Sequence, residues 1–173
     1  MWDDIFIKDE RGVNNMAIIQ NDKLKFEIKN ITSLYAEFSN INNQDDIGTY
    51  EAFDCIIKIG DSIILNKNLE LCSGNIQELL TGINSILLDD DVLKFQLEFY
   101  EPDLEFNIDT ISENNYLLTI WCCAFIFGDK SNNDNAISLH FDLTKEELLK
   151  FRNDLQQEWD NKKKMVMMSD IMG

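Results

Sequence analysis

The stretch from residue 93 to residue 109 constrains the fold more than any other part of this chain. It reads LKFQLEFYEPDLEFNID, so apolar and polar residues alternate on both sides of the tetrapeptide YEPD. Such alternation is typical of half-buried β-strands, and a four-residue loop joins two of them into a hairpin. The predicted register pairs Phe99 with Leu104, Leu97 with Phe106 and Phe95 with Ile108. Every apolar side chain of the hairpin then lies on one face.

The other face of this predicted hairpin is polar, and three of its six residues are acidic. The same register pairs Lys94 with Asp109 and places Glu98 directly opposite Glu105. Like charges that face each other across two strands destabilise a sheet by about 0.2–1 kcal/mol. A pairing of this kind on an exposed face favours a role in binding, because a bound cationic surface would relieve the repulsion.

Two segments have the pattern of amphipathic helices that pack on a sheet. In the first, Asn75 and Glu78 form a capping-box motif, and apolar residues follow with helical periodicity at positions 76, 79, 80, 83, 86 and 87. Gly82 inside this segment lowers helix propensity by about 1 kcal/mol, for no reason that the sequence shows. In the second, Thr144 and Glu147 form the same motif before an apolar stripe. The stripe consists of Leu148, Phe151, Leu155 and Trp159.

Most of the remaining chain reads as strands joined by turns or loops. The clearest segments are residues 24–29, 33–38, 50–59, 62–65 and 136–143. Residues 116–127, YLLTIWCCAFIF, are apolar on both alternating faces, which predicts a central strand covered on each side. This pattern indicates an α+β fold: a single domain, mainly antiparallel β-sheet packed with two amphipathic helices. We assign residues 16–161 to that domain, 1–15 to an N-terminal arm and 162–173 to a flexible C-terminal tail.

The charge balance argues against several classes of partner. With 15 basic and 32 acidic residues the net charge is −17, which disfavours nucleic acid and anionic membranes as direct ligands. No apolar run reaches the roughly 18 residues that a membrane-spanning helix needs. The first residues, MWDD, are acidic where a secretory signal is basic. We therefore expect a cytoplasmic protein.

The four cysteines do not form a recognisable metal or redox motif. They are Cys55, Cys72, Cys122 and Cys123, without a C-x-x-C spacing, and His140 is the single histidine of the sequence. A zinc site usually has closely spaced pairs of such ligands. We therefore expect small buried cysteines in a reducing compartment, with no metal and no cofactor.

One group of residues has the composition of a catalytic triad. Ser138, His140 and Asp142 alternate along a predicted strand. Side chains at such positions lie about 7 Å apart, which is too far for mutual hydrogen bonds. The sequence also has neither a phosphate-binding glycine loop nor a metalloprotease motif. The prediction is a protein that is not an enzyme and has no catalytic residues.

Acidic residues are concentrated between positions 89 and 113, where nine acids accompany one base. Most of them form our candidate partner-binding surface. Its members are Asp89, Asp90, Asp91, Glu98, Glu101, Asp103, Glu105 and Asp109. Two interpretations remain open at this point. The residues form either a solvated face that keeps the protein soluble or a docking surface for a basic partner, where clustered charge speeds association.

The hairpin sequence also resembles that of a known family. FYEPDLEF, residues 99–106, is similar to the F-x-E-P-x-L-x-F element of the WapI family of immunity proteins. The order of the surrounding elements is similar too, from the K-F-E-I strand at residues 25–28 to the F-x-L-T-x-E-E-L-x-x-F segment at residues 141–151. The resemblance covers roughly residues 16–160, and Phe53 stands where the family pattern has a tryptophan.

This resemblance implies an acidic bacterial protein that neutralises the toxic C-terminal domain of a polymorphic toxin, which in this family is often a nuclease. A nuclease must be basic to hold phosphates, so an acidic inhibitor suits its surface. We therefore predict a cognate toxin domain as partner. Alternatives from other classes are a DNA-mimic inhibitor of a DNA-binding protein, an enzyme that uses Asp89–Asp91 with a divalent metal, and an accessory protein without a specific site.

Overall fold

Two β-sheets and two helices make up the part of the chain that our computed structural model describes. Those residues are 16–38, 46–72, 74–99, 104–123 and 136–167. Neighbouring strands are antiparallel along the main path of each sheet, and a helix connects the two sheets. The predicted α+β class with mainly antiparallel strands is confirmed, although the strands form two sheets rather than one.

The first sheet contains the strands of the N-terminal half. They are β1 (Ala17–Gln20), β2 (Leu24–Phe38), β3 (Asp46–Ile59) and β4 (Ser62–Cys72), and they pair in that order. A further strand, β9 (Lys163–Met167), pairs in parallel with the second half of β2. The assignment of residues 162–173 to a flexible tail is therefore wrong for 163–167, because β1 leaves that half of the β2 edge open for pairing. The predicted arm, residues 1–15, lies outside the described residues.

The second sheet is a meander of four consecutive strands. They are β5 (Lys94–Glu98), β6 (Leu104–Ser112), β7 (Asn115–Cys123) and β8 (Ala136–Thr144). The register between β5 and β6 is the predicted one along its whole length, from Lys94 opposite Asp109 to Glu98 opposite Glu105. Hydrophobic alternation together with the four-residue loop was therefore sufficient to predict how this hairpin pairs.

The two helices are α1 (Asn75–Leu88) and α2 (Lys145–Asp160). The predicted capping box of α2 is confirmed: the Thr144 hydroxyl accepts a hydrogen bond from the Glu147 N–H at 3.3 Å, and Glu147 Oε2 accepts one from the Thr144 N–H at 2.8 Å. The capping box predicted for α1 is wrong, since Gly74 is its N-cap and makes no side-chain cap. The apolar stripe of α1 is buried at every predicted position.

One cluster of buried side chains includes residues of both sheets and both helices. Phe106 of β6 makes one contact between the sheets: its ring lies edge-on to that of Phe26 of β2, with 5.8 Å between the ring centroids. Its ring also lies 5.5 Å from that of Phe99. All three rings are fully buried. The second sheet therefore has one face in this core and one face turned away from it.

Gly82 is explained by a close contact between α1 and β5. A Cβ atom built on Gly82 would overlap the ring of Phe95, so the helix approaches the strand more closely than alanine would allow. The loss of helix propensity that the sequence left unexplained is the cost of this approach.

We expect Gly82→Ala to lower the free energy of unfolding by roughly 1–2 kcal/mol, because overpacking against Phe95 outweighs the gain in helix propensity. The measurement is urea unfolding followed by circular dichroism. In a Phe95→Ala background the same substitution should become stabilising, since the ring is gone and the propensity gain remains. A destabilisation of equal size in both backgrounds would contradict the assignment.

Glu51 supplies the cap that α1 lacks locally. This glutamate on β3 is only 2% exposed. Its Oε1 accepts a hydrogen bond from the Gly74 N–H at 3.2 Å and its Oε2 accepts one from the Ile76 N–H at 3.4 Å. A carboxylate at a helix N-terminus satisfies N–H groups that have no partner inside the helix. Burial nevertheless raises the pKa of Glu51 above its ordinary value, because desolvation outweighs these bonds and the attraction of Lys162.

Glu158 of α2 holds the irregular part of β2 in the same manner. Asn30 has a φ of 56°, in the left-handed region, and the pairing of β2 with β3 shifts between Lys29 and Thr32. The Asn30 N–H donates to Glu158 Oε2 at 2.9 Å, and the Ile31 N–H also bonds to this carboxylate. Burial raises the pKa of Glu158, and these bonds and the charge of Lys29 offset only part of that effect.

These two buried carboxylates predict that the folded protein becomes more stable as the pH falls from neutral toward the unfolded glutamate pKa of about 4.3. The folded pKa of each lies above the value of about 4.3 for an unfolded glutamate, so the folded state binds more protons in this range and stability decreases as the pH rises. The melting temperature across this range measures the effect. The double variant Glu51→Gln and Glu158→Gln should have a shallower pH dependence, and an unchanged slope would contradict this explanation.

Candidate protein-binding surface

The face of the second sheet that turns away from the core is here called the outer face. Along each strand its residues alternate with buried ones such as Phe106, Ile120 and Leu139. The register across β5, β6, β7 and β8 aligns these outward residues in rows. They are Lys94, Gln96, Glu98, Glu105, Asn107, Asp109, Leu117, Thr119, Trp121, Cys123, Ser138, His140 and Asp142. The strands behind them hold these side chains at fixed spacing.

The structure brings part of the predicted acidic surface together on this outer face. Glu98 and Glu105 face each other across β5 and β6, as predicted. Asp109 lies toward the other end of the same strand pair, with its Oδ1 3.3 Å from Lys94 Nζ. This ion pair is largely exposed, so it contributes little to stability. The predicted site residues Glu101 and Asp103 lie outside the described residues.

The Glu105 carboxylate is oriented by two neighbouring amides. Its Oε1 accepts hydrogen bonds from Gln96 Nε2 at 2.9 Å and from Asn107 Nδ2 at 2.7 Å. These donors offset part of the repulsion between Glu105 and Glu98 that the register creates. Both bonds are made to the same oxygen, so Oε2 lies outside this amide pair and can accept a donor from a partner.

The three aspartates Asp89, Asp90 and Asp91 lie in the exposed turn that ends α1 and precedes β5. Asp89 has a local structural function: its N–H donates to the Ser85 carbonyl at 3.0 Å, and its Oδ1 accepts from the Asp91 N–H at 3.0 Å. This side chain thus stabilises the turn, which the unfavourable position of acids at a helix end did not predict. The part of Asp90 and Asp91 in binding stays a prediction.

Trp121 on β7 lies on the outer face, and the sequence pattern did not predict its exposure. The prediction that this strand is covered on both sides is wrong, because the Trp121 side chain is 41% exposed. A signal was nevertheless present in the sequence. The strands on either side of β7 alternate strictly and place polar residues such as Glu105 and Ser138 outward, so the outward residues of β7 belong to an open polar face.

His140 takes part in a polar network on the same face. Its Nε2 lies 3.0 Å from the Ser138 hydroxyl and its Nδ1 lies 3.2 Å from the Thr119 hydroxyl. The expectation that Ser138 is out of reach of His140 is therefore wrong, because the imidazole extends along the strand. Both ring nitrogens face hydroxyl groups, which leaves no place for the carboxylate that orients the histidine of a catalytic triad.

The cysteine side chains that the structure describes are buried or half-buried. Cys55 and Cys122 are fully buried on β3 and β7, as predicted, and Cys123 is half-buried. Burial raises the pKa of the Cys122 thiol to about 12, and that of Cys55 also lies above its ordinary value. The Cys72 side chain is outside the described part of the structure. Within the described ranges, no group of three or more side chains is placed to hold a metal ion.

No helix in the described part of the chain is both long enough and apolar enough to span a membrane.

Comparison by sequence finds no matching family model and no matching curated protein. Among solved structures, the plant transcriptional regulator PBF-2 is similar with a TM-score of 0.49 at 10% identity, over 85% of this chain and 81% of that chain. WHY3 from Arabidopsis thaliana has a TM-score of 0.49 at 9% identity, over 87% of this chain and 88% of its own. The resemblance to WapI immunity proteins stays a prediction.

Proposed function

We propose that this chain is an immunity protein that binds a basic toxin domain through its outer face and thereby blocks that toxin in the cell that produces it. The single observation that carries the proposal is the pair Glu98 and Glu105. These carboxylates face each other on a solvent-exposed sheet, and neither forms an ion pair with a described lysine or arginine. A basic surface docked on this face would attract both carboxylates and so offset the repulsion between them.

The surrounding charges support the same kind of partner. The protein carries a net charge of −17, so a cationic domain is attracted from a distance and oriented before contact. On the outer face itself, Asp109 and Asp142 extend the acidic area on either side of Leu117. Residues 99–106, which resemble the immunity-protein element, belong to the same hairpin as Glu98 and Glu105, and this resemblance supports the proposal.

Inhibition would follow from occupation of the surface that the toxin uses for its substrate. A nuclease holds phosphates with lysine and arginine side chains, and those same side chains are the complement of a carboxylate face. Because two amides already orient the Glu105 carboxylate, that side chain loses little entropy on binding. The inhibitor needs no catalytic group for this mode of action.

The test of this function is protection in a living cell. If a toxin domain is encoded upstream of the gene for this chain, that domain is expressed with and without the chain, and colony formation is counted. The proposal predicts that co-expression restores growth. Continued killing by an active toxin domain, in cells where this chain is shown to be folded and abundant, would contradict it.

A further inference from the structure

Trp121 is unusual because it interrupts a polar sheet face with a large exposed aromatic ring. It lies on β7, between β6 and β8, so the ring is in the interior of the sheet and not at an edge. Exposed tryptophan in the middle of a rigid surface is enriched at protein interfaces, where it often contributes a large share of the binding energy. Its 41% exposure is therefore unlike that of the buried aromatic rings of the same sheet.

The register places a carboxylate directly beside this ring. Glu105 on β6 is the cross-strand partner of Trp121, and Glu98 on β5 follows in the same row. Facing side chains on adjacent strands have Cβ atoms about 5 Å apart, and the next strand is roughly 5 Å further on. On the other side of the ring, Ser138 of β8 adds a hydroxyl group. The row thus combines an aromatic face, two carboxylates and a small polar side chain.

The Glu105 side chain is already oriented by the amides of Gln96 and Asn107 on Oε1, with Oε2 outside that pair. A ligand that stacks on Trp121 and donates to Glu105 at the same time must be flat, cationic and rich in N–H groups. The guanidinium of arginine has these properties, since it stacks on aromatic rings and presents a fork of donors to a carboxylate. The lysine ammonium is a compact point charge and makes the stacked contact less well.

The protein itself contains a cation–aromatic contact of the related kind. Just after the end of α2, Lys162 Nζ lies 3.6 Å from the ring centroid of Trp159. Among the described lysines and arginines, none lies over Trp121 in this way. The Trp121 indole, which lies in one row with Glu105 and Glu98, therefore has no cation over it among the described residues.

We propose that Trp121, Glu105 and Glu98 form an arginine-binding subsite, which receives an arginine side chain from the partner. This inference rests on the proposed function for the class of partner, and it adds which residue of the partner binds and where. The partner's central contact is an arginine stacked on Trp121, and the site prefers arginine to lysine at equal charge.

The subsite can be tested without any toxin. The full chain is labelled with ¹⁵N and titrated with two acetylated, amidated glycine pentapeptides, one with two arginines and the other with two lysines. The indole N–H signal of Trp121 is assigned from the Trp121→Phe variant, and that of Trp159 serves as an internal control. We expect the Trp121 signal to move, with about three-fold or more tighter binding of the arginine peptide.

Two variants separate the stacking contribution from that of charge. Trp121→Ala should lose the preference for arginine while it still binds the lysine peptide as before, and Glu105→Gln should weaken binding of both peptides. For these variants, binding is followed by the backbone amide signals of β6 and β7. The dispersion of the amide spectrum shows whether each variant is folded, and Trp121→Phe keeps an aromatic ring if the alanine variant is not. Equal affinity of the two peptides, no binding of either, or a Trp121 signal that does not move would overturn the subsite.

The outcomes also separate this inference from the proposed function. If the peptides fail but the chain protects cells and binds the toxin domain, the arginine subsite is wrong and the immunity function stands. If the peptides behave as expected but no toxin is neutralised, the subsite stands and belongs to a different basic partner.

Discussion

Replacing Glu98, Glu105 and Asp109 together with lysine is expected to weaken binding to the toxin domain by roughly a hundred-fold or more, which corresponds to about 2.7 kcal/mol or above. Each reversal removes an attractive contact and creates a like-charge contact in its place. Asp109 already lies beside Lys94, so a lysine there would add local repulsion between cations. Isothermal titration calorimetry with the purified toxin domain gives the affinity, and loss of protection in cells should accompany its decrease.

A matched charge reversal elsewhere distinguishes the outer face from net charge alone. Asp22, Asp61 and Asp160 are exposed residues that lie off the second sheet, and their replacement with lysine changes the net charge by the same amount. This control should reduce the association rate modestly and leave most of the affinity intact. If both triple variants lose affinity equally, only overall charge matters and the assignment of the outer face is wrong.

Phe106→Ala is expected to produce the largest loss of stability, about 3–5 kcal/mol. The ring is fully buried and contacts both Phe26 of the first sheet and Phe99, which follows β5. Its removal leaves a cavity where the two sheets meet, and a typical domain has only about 5–15 kcal/mol of stability. Urea unfolding followed by circular dichroism measures the loss. Leu93→Ala is the control in the same hairpin: this side chain is 62% exposed, so the change should be within about 0.5 kcal/mol.

Urea unfolding followed by amide NMR signals tests the prediction that residues 16–161 form one domain. Because one cluster of buried side chains spans both sheets, amide signals of β2 and of β6 should be lost at the same urea concentration, both in the wild type and in Phe106→Ala. Two separate transitions, one for each sheet, would contradict a single cooperative unit.

Local patterns were sufficient to predict the elements whose stability depends on neighbouring residues in the chain. The β5–β6 hairpin has a period of two on both strands and a defined loop, so burial of one face left a single register. The second helix likewise begins at Thr144, because its capping box involves only residues three apart.

Contacts between distant residues could not be predicted in this way. The cap of α1 comes from Glu51, more than twenty positions earlier on β3, and Gly82 makes sense only when Phe95 is seen against the helix. Strand β9 was missed because its short, mixed sequence becomes a strand only through the open edge of β2. In each case the deciding partner is set by tertiary packing, which a sequence pattern does not contain.

The candidate site was predicted in part for the same reasons. Charge and alternation together placed Glu98, Glu105 and Asp109 on one exposed face. They did not reveal Trp121, since an apolar strand was interpreted as covered on both sides, and they did not predict the amides that orient Glu105. The exposed aromatic ring beside an oriented carboxylate is what the structure adds, and it turns an acidic region into a surface with a specific chemistry.

The most direct test of the proposed function is the affinity between the purified full chain and the purified toxin domain at two salt concentrations. Calorimetry at about 50 mM and about 300 mM NaCl compares weak with strong screening of charges. We predict nanomolar binding at low salt that weakens roughly ten-fold or more at high salt. No binding by a folded and active toxin domain, or affinity that is the same at both salt concentrations, would contradict an immunity protein that acts through its acidic outer face.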